Sequence, residues 1–244
     1  MTPALLTDTI SPDVRRAVDA ALLWGLEAVA LRTIGRERVP NTNEHRLLRV
    51  LRDAEMPVAW VDPGLFQGAA GHRAGVWNDV EALRDVGTFC ARLGCSVVAV
   101  GSLAEASRET AEVIGPLRRL GDAAAREGLR VGVRNEGMAP SAMALAALVR
   151  ETDHPAVGAL WSLRASREAE DDLAEAASVL TEAGLLGVEA DERIADDADM
   201  LETLARGGFG GPVVLALESP QTDGLAVSTA LVRGLRQARR AARG

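Results

Sequence analysis

Short apolar runs alternate along the chain with longer segments in which apolar residues recur every three to four positions. The short runs, rich in Val, Leu, Ala and Gly, are typical of buried strands, and the longer segments are typical of amphipathic helices. Successive runs begin 24 to 39 residues apart, which is the length of a strand, two short loops and a helix. The eight predicted strands lie near Ala4–Thr7, Ala28–Arg32, Pro57–Asp62, Ser96–Ser102, Arg130–Asn135, Val157–Ser162, Leu185–Asp191 and Pro212–Ser219.

The segments between the predicted strands carry signals for helix ends. Ser11-Pro12-Asp13 supplies a cap and an N1 proline before Val14, and Asn43 can cap a second helix. Further helices are predicted at Val80–Leu93, Ala111–Glu127 and Asp171–Ala183, and glycines at positions 25, 94, 128 and 184 would end the helices before them. Strand–helix alternation at this pitch indicates parallel βαβ units. We therefore predict an α/β fold, a single (β/α)₈ TIM barrel that takes residues 1–244 as one domain.

Alternation within each strand predicts which side chains face the barrel interior, because the outer face packs on helices and must be apolar. Val131 and Val133 suit the outer face, so Arg134 points inward; by the same argument Glu189 lies inside. The polar inward positions fall at the carboxyl ends of the strands, where barrels carry their ligand sites. They are Arg32, Arg134, Ser162, Glu189, Asp191 and Glu218. A self-neutralising ion-pair network that closes the barrel is the alternative interpretation.

Two further candidates follow the third predicted strand. Asp62 ends that strand and either faces the mouth of the barrel or begins a turn at Pro63. The segment Pro63–Gly75 contains four glycines and is predicted to be a lid over the mouth, with a mobile loop without function as the alternative. His72 lies on this segment, either as a ligand-binding or proton-transfer group or as a solvated loop residue.

The amino-acid composition excludes or disfavours several classes of function for this protein. All 27 basic residues of the 244-residue chain are Arg, so every mechanism that needs a lysine is excluded. The net charge of −8 disfavours a broad nucleic-acid surface. No apolar run approaches a membrane span and no secretory signal is evident, so we expect a cytoplasmic protein with neither nucleic-acid nor membrane partners. Cys90 and Cys95 are predicted to be reduced, buried thiols.

Several segments together resemble the xylose-isomerase-like barrels, the superfamily of sugar isomerases, epimerases and endonuclease-IV-type enzymes. SPDVRRAVDAALLWGLEAVALR resembles the family's first helix and second strand, and ALRDVGTFCARLGCSVVAVGS resembles its fourth unit. LGDAAAREGLRVGVRNEG resembles the fifth unit, and GGPVVLALES resembles a last strand that ends in Glu, here Glu218. The resemblance implies a TIM barrel, a divalent ion such as Mn²⁺, Mg²⁺ or Zn²⁺, and carboxylates that move protons through an enediol.

The sequence departs from the family at the metal ligands. Arg134 stands where the resemblance places a Glu, Ser162 where it places an Asp, and Glu189 where it places a His. A guanidinium repels a cation and cannot ligate it. We therefore expect Arg134 to replace the charge of the ion, by pairing with Glu218 and Glu189, and we expect no metal cofactor. A displaced Mn or Mg site is the alternative, held by Glu136, Glu189, Asp191 and Glu218.

The resulting hypothesis is a sugar isomerase- or epimerase-like barrel of carbohydrate metabolism. It would bind a small, polar, carbohydrate-like ligand, anionic ones included, at the carboxyl end of the barrel. Glu218 and Glu189 are the predicted proton-transfer residues, and the predicted ligand-binding residues are Arg32, Asp62, His72, Arg134, Glu136, Ser162 and Asp191. The alternative is a non-catalytic member of the family that binds a metabolite or a protein. The protein could also form a homo-oligomer.

Overall fold

A computed structural model of the chain describes residues 1–67, 73–101, 110–137, 139–217 and 223–243. The strands are β1 (Thr2–Leu6), β2 (Ala28–Leu31), β3 (Thr33–Ile34), β4 (Glu37–Arg38), β5 (Val58–Val61), β6 (Val97–Val100), β7 (Arg130–Arg134), β8 (Val157–Ser162), β9 (Leu185–Ala190) and β10 (Pro212–Leu215). The helices are α1 (Val14–Leu23), α2 (Glu44–Asp53), α3 (Arg73–Leu93), α4 (Thr110–Arg126), α5 (Ala142–Thr152), α6 (Leu163–Glu168), α7 (Leu173–Ala183), α8 (Ala198–Arg206) and α9 (Gly224–Ala241).

Eight of these strands pair in parallel and close into a barrel, in the ring order β1-β10-β9-β8-β7-β6-β5-β2. The architecture is a single (β/α)₈ TIM barrel, and the predicted fold class is confirmed. The remaining two strands, β3 and β4, form a short antiparallel hairpin outside the barrel, with Thr33 opposite Arg38. This hairpin was not predicted, because two-residue strands are too short to show any alternation of apolar and polar residues.

The apolar residues form two separate clusters, one on each side of the barrel wall. The outer cluster joins the strands to the helices and includes Val29, Val131 and Val133, so the predicted outward parity is confirmed at these positions. The smaller inner cluster fills the barrel interior with small residues and three large ones. Its fully buried members are Ala4, Leu6, Ala28, Ala30, Trp60, Ala99, Leu160 and Val214.

Trp60 spans the interior because its counterpart across the barrel is a glycine. β5 and β9 lie four places apart in the ring of eight, on opposite sides. A Cβ added at Gly187 of β9 would lie 2.7 Å from the Trp60 ring, so only glycine leaves room for the indole. The pair forms a floor one layer below the residues that follow two positions later on the same strands, Asp62 and Glu189.

The predicted helix ends agree with the structure in most places. The four glycines predicted to end helices all have positive φ values, between 67° and 97°. Asn43 caps α2 as predicted, with its side chain accepting from the Arg46 amide at 3.0 Å. α1 begins at Val14 with Asp13 as its N-cap, so Pro12 precedes the cap and is not the N1 residue.

The prediction for the segment after β5 was partly wrong. α3 begins at Arg73, not Val80, so the last three residues of the predicted lid Pro63–Gly75 belong to the first turn of a helix. Glycines in this stretch masked its helical pattern, since glycine weakens a helix prediction. His72 lies outside the described residues. None of the helices within the described residues is long and apolar enough to span a membrane.

Candidate ligand site at the carboxyl end of the barrel

Three strands bring the central charged residues together. Arg134 ends β7, which lies two places from β5 and two places from β9 in the ring. From this midpoint one terminal nitrogen of its guanidinium lies 2.6 Å from Asp62 Oδ2 and 3.5 Å from Glu189 Oε2. Asp62 is fully buried, and the Arg134 side chain is 8% exposed. The result is a buried charge cluster above the Trp60 floor.

The charges of this cluster stabilise one another. Burial by itself would raise the pKa of Asp62, but the nearby Arg134 and Arg38 outweigh it and hold that pKa below its ordinary value. Burial would likewise lower the pKa of Arg134, and the carboxylates of Glu189, Asp62 and Glu136 raise it instead. At neutral pH, Arg134 is therefore a permanent buried cation and Asp62 a permanent buried anion.

Glu136 is a third carboxyl that the charge of Arg134 influences. Burial raises its pKa above the ordinary value, and the attraction of Arg134 offsets this only in part. A Cβ added at Gly101, which follows β6, would lie 3.0 Å from a carboxylate oxygen of Glu136 and 2.6 Å from the Phe66 carbonyl oxygen. Glycine at position 101 therefore lets the Glu136 carboxyl pack against the backbone at the mouth of the barrel.

Several polar atoms of the cluster are buried and make no hydrogen bond to the part of the chain that the structure describes. They are Trp60 Nε1, Asp62 Oδ2, Glu189 Oε2 and two nitrogens of Arg134, its Nε and one terminal nitrogen. The Asp62–Arg134 contact at 2.6 Å is therefore a charge contact without hydrogen-bond alignment. Buried polar groups normally have partners, and leaving one without a partner costs about 1–3 kcal/mol. A bound polar molecule could supply the hydrogen bonds that these atoms do not make within the described residues.

Two residues of this site were missed by the sequence analysis. Trp60 was assigned to a strand without a role, although strand parity with Asp62 would have placed both side chains inside. Arg38 lies in the unpredicted hairpin, and its guanidinium contacts Asp62 Oδ1 directly. No pattern in the sequence indicates that contact.

Other predicted site residues have partners elsewhere. Arg32 forms a two-point ion pair with Asp8, at 2.8 and 3.2 Å. Asp191 pairs with Arg167 of α6 at 3.1 Å. Arg167 also contacts Asp197, so its charge is shared between two carboxylates. Arg32 and Asp191 are therefore each neutralised by an oppositely charged residue that the folded chain brings close to them.

Ser162 acts as a helix cap. Its hydroxyl accepts from the Ala165 amide at 3.5 Å and starts α6. Its backbone is held by Asn135, which accepts from the Ser162 amide at 2.6 Å and donates to its carbonyl at 3.0 Å. Arg32, Asp191 and Ser162 thus have partners within the protein, and their predicted contact with a ligand stays a prediction. Glu218 lies outside the described residues, so its predicted pairing with Arg134 stays a prediction.

The described residues do not fit the divalent ion that the family resemblance implies. The guanidinium of Arg134 lies between Asp62 and Glu189, where it would repel a cation held by those carboxylates. Within the described part of the chain, no three His, Cys, Asp or Glu side chains are grouped as a metal site. The displaced Mn or Mg site, which includes Glu218, reaches beyond these residues and stays an alternative prediction.

The closed barrel and the charged cluster at its carboxyl end define a TIM barrel with a candidate ligand site in the usual place for this fold. The chain belongs to the xylose isomerase-like TIM barrel family, whose profile matches residues 18–238. No curated protein sequence matches the chain.

Solved structures share the fold at low sequence identity. A D-tagatose 3-epimerase-like protein is 15% identical, with a TM-score of 0.80 over 98% of each chain. A 3-keto-D-glucoside 4-epimerase from E. coli is 15% identical, with a TM-score of 0.78 over 97% of this chain and 99% of that chain. A fusion of a xylose isomerase-like TIM barrel with 4-hydroxyphenylpyruvate dioxygenase is 18% identical, with a TM-score of 0.77 over 97% of this chain and 42% of the fusion.

Proposed function

We propose that this barrel binds a small, neutral, polyhydroxylated ligand at its carboxyl end, with Arg134 in place of the family's divalent ion. The observation that supports it best is the set of buried polar atoms on Trp60, Arg134 and Glu189 that make no hydrogen bond to the described residues. Trp60 Nε1 and Arg134 Nε are donors, and Glu189 Oε2 is an acceptor. A hydroxyl group both donates and accepts, so adjacent hydroxyls of a sugar would satisfy such a mixed set.

The charge balance of the cluster favours a neutral ligand over an anionic one. Arg134 and Arg38 carry two positive charges, and Asp62 and Glu189 carry two negative charges. The raised pKa of Glu136 disfavours a further negative charge there. Both guanidinium groups therefore already have carboxylate partners, and a phosphate would have to compete with them at a cost in desolvation.

We further propose that the bound sugar undergoes isomerisation or epimerisation. Glu189 would take a proton from a carbon next to the ligand's carbonyl, and the electron pair would move onto the carbonyl oxygen. Arg134, fixed and fully charged, would stabilise the negative charge that develops on that oxygen. Return of a proton to the same carbon or its neighbour completes the reaction, and Glu218 stays the predicted second proton carrier.

Binding is tested by thermal unfolding of EDTA-treated protein with D-tagatose or L-ribulose, and with a phosphorylated ketose for comparison. At 100 times Kd a ligand stabilises by about 2.7 kcal/mol. For a chain of this size that raises Tm by roughly 5–10 °C. We expect this rise with a neutral sugar, and we expect Arg134→Met to lose it. Arg206→Met, which removes an exposed pair with Glu202, is the matched control.

Metal content and turnover separate the alternatives. Elemental analysis of protein purified without chelator should find less than stoichiometric metal; a stoichiometric ion, or a Tm rise that requires added Mn²⁺, would refute the role given to Arg134. Incorporation of solvent deuterium into the sugar, lost in Glu189→Gln, would support catalysis. Binding without deuterium incorporation would instead support the non-catalytic, ligand-binding alternative.

A further inference from the structure

The hairpin β3–β4 reaches the candidate site through the side chain of Arg38. Its Nε donates to the Asp62 carbonyl oxygen at 3.3 Å, and one terminal nitrogen contacts Asp62 Oδ1. The other terminal nitrogen donates to Gln67 Oε1 at 3.2 Å. All three nitrogens of the guanidinium thus contact the segment that follows β5.

The backbone beneath Arg38 is shaped to receive it. Gly64 has a φ of +79°, and a Cβ at this position would lie 2.8 Å from Arg38 Nε. The same glycine donates its amide to Asp62 Oδ1 at 3.0 Å. Any other residue would be strained in this conformation and would also displace the guanidinium. The Arg38 side chain is 34% exposed while Asp62 is fully buried, so Arg38 covers the carboxylate from the solvent side.

The two carboxylate oxygens of Asp62 have different partners. Oδ1 accepts from Gly64 and contacts Arg38, whereas Oδ2 faces Arg134 at 2.6 Å. With Oδ1 fixed, the carboxylate cannot rotate away from Arg134. Arg134 is in turn held between Asp62 and Glu189 through a terminal nitrogen, which leaves its Nε free.

We propose that Arg38 is a positioning residue of the ligand site, which acts through Asp62 to hold Arg134 with its Nε available to the ligand. This inference rests on the proposed function for the ligand itself, but the orientation of Asp62 and Arg134 is measurable without any ligand. Arg38 also lowers the pKa of Asp62, after the larger effect of Arg134 against burial. If the Arg38–Asp62 pair had only a structural role, replacing Arg38 would leave the orientation of the Arg134 guanidinium unchanged.

The test compares Arg38→Gln with Arg36→Gln, a control on the exposed turn of the same hairpin. The carboxyl resonance of Asp62 is followed by NMR against pH in ligand-free protein labelled with ¹³C-aspartate. The resonance is assigned by its loss in Asp62→Asn. We expect the pKa of Asp62 to rise in Arg38→Gln and to be unchanged in Arg36→Gln. We also expect the Nε–H resonance of Arg134 to shift in Arg38→Gln alone. An Asp62 titration that is the same in both variants would overturn the proposal.

Arg38→Lys keeps the charge without the planar fork, and carries the test if Arg38→Gln does not fold. In Arg38→Lys we expect the pKa of Asp62 to return toward the wild-type value, while the Nε–H resonance of Arg134 stays shifted. A pKa of Asp62 that does not return toward the wild-type value would contradict the proposal. In D-tagatose binding, Arg38→Gln should weaken affinity by about tenfold, which corresponds to about 1.4 kcal/mol. If no sugar binds the wild type, the proposed function fails while the ligand-free titration still decides the role of Arg38.

Discussion

Replacing Arg134 by Met is the sharpest test of the buried charge cluster. The substitution keeps an unbranched side chain and removes the guanidinium between Asp62 and Glu189. Removing one partner of a buried ion pair costs about 3–5 kcal/mol, because the other charge is left buried and uncompensated. Arg38 still contacts Asp62, so we expect the lower end, about 3 kcal/mol. For a chain of this size, Tm should fall by roughly 6–12 °C.

The assay is urea unfolding at pH 7 and at lower pH, together with thermal scans. The pKa of Asp62 lies below its ordinary value in the folded protein, so its ion pairs add stability above about pH 4, and this contribution is lost as the pH falls through the folded pKa. The stability difference between wild type and Arg134→Met should therefore narrow as the pH falls from 7 toward 3. The exposed control Arg206→Met should cost at most about 0.5 kcal/mol at pH 7. An Arg134→Met variant as stable as this control would refute the reasoning.

Two further substitutions test individual features of the barrel interior. Because burial raises the pKa of Glu136, the folded protein holds a proton that the unfolded chain releases as the pH rises above about 4.3. Glu136→Gln should therefore gain stability relative to wild type between pH 4 and pH 7 in urea unfolding, and a constant difference across this range would contradict it. Gly187→Ala should lose about 1–3 kcal/mol in the same assay, because its Cβ would lie 2.7 Å from the Trp60 ring. The control Gly210→Ala has no atom within 4 Å of its Cβ, and equal losses in the two variants would argue against a packed floor.

The sequence determined the barrel and the inward direction of its central residues. Strand and helix periodicity depend only on neighbours along the chain, so eight strand–helix units could be read without any tertiary information. The same alternation predicted that Arg134 faces inward, and Arg134 is buried between Asp62 and Glu189. The glycines that end helices at positions 25, 94, 128 and 184 could also be predicted from the sequence, because a helix end depends on neighbouring residues.

Tertiary structure decided which charges meet. Closure of the ring places β7 midway between β5 and β9, and only this geometry lets Arg134 contact both Asp62 and Glu189. Arg38 reaches Asp62 from a hairpin too short to carry a pattern, while Arg32 pairs with nearby Asp8. Ion pairing depends on distances between residues far apart in the chain, whereas a sequence pattern records only the face on which each residue lies.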